Sequence, residues 1–103
     1  MLGVNYKRAK ISTSTTGAAL VAAVTAKKIQ VMALIIMGDG DTDVTLNSAS
    51  TALTGAMPLA VSGNGLVVPF CGVPWLETVA GEALTVTLSA AVAISGCLVY
   101  LEE

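Results

Sequence analysis

The chain predicts an all-β domain, a jelly-roll-like antiparallel β-sandwich of eight or nine short strands. Apolar residues recur with period two, as where Leu84, Val86 and Leu88 are separated by Thr85 and Thr87, the pattern of a half-buried strand. Turn signals punctuate the chain at close spacing, at Thr16-Gly17, Gly38-Asp39-Gly40, Thr54-Gly55, Ser62-Gly63-Asn64-Gly65, Cys71-Gly72, Ala80-Gly81 and Ser95-Gly96. Short strands at such spacing mark sandwiches and barrels, and eight or nine of them in 103 residues suit a jelly roll.

Residues 9–13 and 19–24 open the series on either side of Thr16-Gly17. The Ala-rich pieces at 18–26 and 90–93 have helical propensity, but each is too short to hold a helix without packing, and Val21, Val24 and Val92 favour strand. The third strand, 28–37, lacks polar alternation after Gln30. Both its faces should therefore be covered, one by the opposing sheet and one by another subunit or a long loop. Residues 43–48 alternate again, with Val44 and Leu46 inward. Short strands follow at 56–61, 66–68 and 75–79, then a well-patterned one at 83–89. The last strand, 96–102, places Leu98 and Tyr100 on one face and Cys97, Val99 and Leu101 on the other. If it lies centrally in one sheet with 28–37, the outer face of that sheet is an association surface, because left bare it would aggregate.

A chain of this length supports one core, taken here as residues 11–103 behind an N-terminal arm of residues 1–10. Hydrophobic residues make up 54% and charged residues 12%, against about 25% charged in ordinary soluble domains. So little charge implies apolar surface hidden in contacts, and a homo-oligomer is expected. The charges are also segregated. Lys7, Arg8, Lys10, Lys27 and Lys28 precede Asp39, Asp41, Asp43, Glu77, Glu82, Glu102 and Glu103, which either orients a subunit on a charged partner or guards strand edges with lysine. The longest apolar runs, such as Val31 to Met37, fall well short of the roughly 20 residues of a membrane helix. The start of the chain has no secretory h-region, so synthesis in a cytosol is expected, with Cys71 and Cys97 as free, buried, small apolar fillers.

Few constellations carry chemistry. Asp39, Asp41 and Asp43 alternate like the opening of a Ca²⁺ loop, but Val44 and Ser50 stand where such a loop needs glycine and glutamate. They are weak metal candidates at most, or an acidic turn bonding its own amides. With no histidine, neither Ser nor Cys has a conventional base, and the two cysteines stand alone as zinc ligands. Glu77 and Glu82 would make a glycosidase-like pair only inside a sugar cleft that nothing else in the chain builds. No enzyme, cofactor or nucleic-acid partner is indicated, since aromatics are 4% and acid exceeds base. The segment Pro69-Phe70-Cys71-Gly72-Val73-Pro74-Trp75-Leu76-Glu77 either presents Phe70 and Trp75 to a partner or folds them over one end of the sandwich as a plug.

Lys10-Ile-Ser-Thr-Ser-Thr, Leu20-Val-Ala-Ala-Val, Lys28-Ile-Gln-Val, Ser50-Thr-Ala-Leu-Thr-Gly, Met57-Pro-Leu, Pro74-Trp-Leu-Glu-Thr and Gly81-Glu-Ala-Leu-Thr-Val-Thr-Leu-Ser follow one another along almost the whole chain. In texture and order this series resembles small tailed-bacteriophage structural proteins, particularly jelly-roll decoration or cement proteins of the capsid. The resemblance implies a homotrimer on the capsid surface of the virion, seated at threefold positions and clamping neighbouring major capsid proteins. It implies no catalytic residue. For that role Val31, Ala33, Ile35 and Met37, with Leu98 and Tyr100, would build the trimer. Tyr6, Lys7, Arg8 and Lys10 would lie on the shell, with Phe70 and Trp75 as further contacts. A host-surface or carbohydrate-binding module of a virion is the alternative, and it requires Trp75 exposed beside polar groups able to orient a sugar.

Overall fold

The alternating segments form strands in a computed structural model that describes residues 5–59 and 65–103. Among the described residues there are ten strands and no helix: β1 Lys7–Thr13, β2 Ala19–Val21, β3 Ile29–Gly38, β4 Thr42–Ser48, β5 Thr51–Ala52, β6 Met57–Leu59, β7 Gly65–Val68, β8 Leu76–Glu77, β9 Leu84–Leu88 and β10 Ile94–Glu102. One antiparallel sheet runs β1-β10-β3-β7, with β8 also beside β3; the other runs β2-β9-β4-β5, with β6 also beside β4. If β5 with β6 and β7 with β8 are each taken as one interrupted strand, every sheet has four positions. The chain then crosses between sheets at almost every connection, which is the eight-position jelly-roll arrangement the sequence predicts.

Several boundaries differ from expectation. β1 begins at Lys7, so Lys7, Arg8 and Lys10 belong to an edge strand and not to an N-terminal arm. Residues 1–4 lie outside the described residues, as do 60–61 of the expected strand 56–61 and 62–64 of the turn after it. β5, a two-residue strand paired to β4 through Asn47↔Ala52 and Ser48↔Thr51, has no counterpart among the expected strands.

The core lies between the sheets. Ile11, Ile29, Val31, Leu34, Ile36, Ile94 and Leu98 from one side meet Val21, Val44, Leu46, Leu59, Leu84, Val86 and Leu88 from the other. Each such side chain gains roughly 1.5–3 kcal/mol by leaving water. β3 does not keep one parity along its length. Val99 faces Ala33 while Tyr100, the next residue of β10, faces Val31, so Met32 is the extra residue of a β-bulge. Before the bulge Ile29 and Val31 point inward; after it Leu34, Ile36 and Gly38 do.

Buried polar groups fasten the connections. The Thr78 Oγ1 accepts from the Ile29 amide at 2.9 Å, and the Thr42 hydroxyl both donates to Ala90 O and accepts from its amide, each at 3.1 Å. Ser48 Oγ donates to the Glu82 carboxylate and accepts from the Val79 amide at 2.9 Å. Among the described residues no buried side-chain polar atom lacks a partner, so these contacts add order at no desolvation loss.

Candidate interaction surface

The outer face of the β1-β10-β3-β7 sheet follows from register and alternation, because residues directly opposite each other share a face. One cross-strand row is Ser12, Ser95, Met37 and Gly65; the next is Lys10, Cys97, Ile35 and Val67; a third begins Arg8, Val99, Ala33. Ile35 is 43% exposed, Met37 40% and Val67 65%, and Cys97 lies exposed among them; neither it nor Cys71 is the buried filler expected, since Cys97 stands at an outward position of β10 and Cys71 in an exposed loop. This is a continuous apolar field that the described residues leave open to solvent, bounded on the β1 side by Arg8 and Lys10.

Three residues expected on this face, Val31, Leu98 and Tyr100, are elsewhere. Val31 and Leu98 are each 1% exposed and belong to the core. Val31 lies on the other side of the Met32 bulge from Ile35, and Leu98 pairs with inward-facing Leu34. Tyr100 is half-buried and packs against the core. Ala33, Ile35 and Met37 do lie outward. What the sequence reading did not find is that Val67 and Cys97 join them, and that Arg8 and Lys10 border the same field. The four-residue pattern of β7 carried the signal: Leu66 and Val68 are half-buried, which turns Val67 to solvent.

The remaining expected contacts divide. Lys7 has the opposite parity to Arg8 and pairs with Glu102. The hydrogen bond to Glu102 and its charge hold the lysine pKa above 10.5. Tyr6 meets Phe70 edge to face, ring centres 5.4 Å apart, and both remain exposed. Trp75 is 49% exposed, yet its indole N–H donates to Pro69 O at 2.7 Å and its amide to Val31 O at 2.8 Å. Behind it a half-open cavity of about 150 Å³ lies between the sheets. The loop holds Trp75 over a gap in the sandwich, as the expected plug would, and leaves Phe70 exposed.

The acidic residues are engaged in separate contacts at Glu77, Glu82 and Glu102. Among the described residues no three Asp, Glu, His or Cys side chains gather into a group able to hold a metal ion. The amides of Asp39 and Asp43 donate to Ala93 O at 3.0 Å and Ser89 Oγ at 2.7 Å, which ties the turn after β3 to the loop after β9. Glu77 accepts from Gln30 Nε2 at 2.6 Å and lies 3.5 Å from Lys28 Nζ. The Gln30 hydrogen bond, the largest effect, holds its carboxyl below 4.5 against desolvation, with the charge of Lys28 adding less in the same direction. Glu82 is engaged by Ser48. Neither glutamate lines the cavity behind Trp75. Comparison with known proteins finds no family model, no curated protein and no solved structure that matches the chain.

Proposed function

We propose that this chain is a non-enzymatic structural protein of a virion, a decoration or cement protein of a tailed-bacteriophage head. In this reading it associates as a homotrimer and binds neighbouring major capsid proteins. The observation that carries the proposal is the exposed apolar field of Ile35, Met37 and Val67 on the outer face of the β1-β10-β3-β7 sheet. A monomer rarely leaves such a patch bare. The basic pair Arg8 and Lys10 at its border supplies the polar rim that interfaces carry around an apolar centre. The trimeric number, the head shell and the capsid-protein partner rest on the resemblance of the segment order to capsid decoration proteins.

Sedimentation with phage heads that lack the protein tests this. The wild-type chain is expected to co-sediment to a saturating stoichiometry, and its failure to do so would remove the cement role. Because Lys7 to Lys10 are half of β1, deleting residues 1–10 would unmake a strand, so charge reversal is the cleaner variant. Arg8→Glu with Lys10→Glu should weaken head binding by about tenfold or more, with most of the salt dependence lost. Unchanged binding would take the basic border out of the contact.

The carbohydrate-binding alternative gains exposure of Trp75 but loses the polar surroundings it needs. The indole N–H is already engaged, and of the residues lining the cavity behind the ring Thr54 alone carries a hydroxyl.

A further inference from the structure

We infer that the cavity behind Trp75 is a binding site for a small, uncharged hydrophobic molecule of about the size of benzene. It opens where the sandwich is least continuous, at the edge where β7 and β8 face β6, strands of four, two and three residues. Strands this short cannot keep the two sheets in register to the edge, and a gap of about 150 Å³ remains between Leu34, Leu46, Met57, Leu66, Val68 and the Trp75 ring.

Chemistry and volume together select the ligand. The single hydroxyl in the lining, that of Thr54, accepts from the Leu46 amide at 3.1 Å and donates to Gly55 O at 2.8 Å. With the Trp75 N–H also engaged, the described side chains that line the cavity present it with no free donor or acceptor. A sugar or charged group would leave its polar atoms unpaired there, at a cost of several kcal/mol. Drug-sized ligands need about 300 Å³ or more, whereas an apolar cavity of about 150 Å³ stays dry and takes benzene or xenon. The half-open mouth beside Trp75 gives the molecule a path in. This inference is independent of the proposed capsid role, since the cavity lies between the sheets and not on the outer face of either.

Benzene is the probe. Trp75 is the one tryptophan of the chain, so its fluorescence reports the site directly, and the methyl resonances of Leu46, Leu66 and Met57 report the walls. On titration of the intact wild-type protein, both signals should move together and saturate, with a dissociation constant of about 1 mM or below. Methyl glucoside should move neither. Leu66→Phe narrows the gap while leaving Trp75 as the one tryptophan, and should weaken benzene binding by about tenfold or more. Should that variant lose its native methyl spectrum, xenon competition in the wild type replaces it, and bound benzene should be displaced. Unmoved or non-saturating signals up to the solubility of benzene, or an equal response to the glucoside, would overturn the assignment.

Discussion

Ala49 occupies φ 51° in the two-residue connection from β4 to β5, a left-handed conformation that costs an L-residue about 1–2 kcal/mol. Glycine removes that strain but gains unfolded-state entropy, so Ala49→Gly should stabilise the protein by about 0.5–1 kcal/mol, seen as a higher denaturant midpoint at unchanged slope. Gly96 is the opposite case. Its φ is 153°, and a Cβ there would stand 1.8 Å from Ile35 O across the β10–β3 ladder. Gly96→Ala should therefore cost about 2–4 kcal/mol, as backbone strain and a broken ladder bond together would. Glu77 gives a pH signature. Its folded carboxyl is held below 4.5, so its contribution is present above that value and is lost as pH falls through the lowered one. The advantage of wild type over Glu77→Gln should be small, as for any solvent-screened group. It should be seen near neutrality and vanish in acid; an advantage that grew in acid would contradict the Gln30 and Lys28 contacts.

At the scale of elements, β3 decides which side chains are core and which are surface. Val31→Asp should abolish cooperative unfolding, because it buries a charge between the sheets. Ile35→Asp should keep the circular dichroism spectrum and a cooperative transition while weakening association. The reverse pair of outcomes would mean that the Met32 bulge is misassigned. Strand positions were legible wherever one face is polar, as in β4 and β9, since alternation then reports burial directly. In β3 both parities are apolar, so inserting one residue leaves no mark on the pattern, and Val31 reads as a neighbour of Ile35 when it faces the other way. β5 was hidden for a related reason. Its hairpin turns on Ala49 and Ser50, without the glycine or asparagine that usually marks a positive φ. The basic segment read as an arm because Lys7, Arg8 and Lys10 lack apolar alternation, yet an edge strand needs little of it and is protected by such charges.

For the whole molecule, the jelly-roll arrangement and a low charge content lead to the same consequence. The fold closes one apolar core between two sheets, and Ile35, Met37 and Val67 leave an apolar field on the outside of one of them. The sandwich was legible because its cause, period two with frequent turns, is local. The outer field was legible in part, through Ala33, Ile35 and Met37, but the share of Val67 and Cys97 in it, the exclusion of Val31 and the cavity were not, since these depend on strand pairing, on which strands end early and on the bulge. The most direct measurement is the solution mass by light scattering of the wild-type protein and of the double variant Ile35→Asp with Met37→Asp, over a range of concentrations. The expected result is a wild type at three times the mass of the single chain and a variant that dissociates while keeping its β-sheet spectrum. A wild type that stays monomeric throughout, or a variant that remains trimeric, would contradict association through this face.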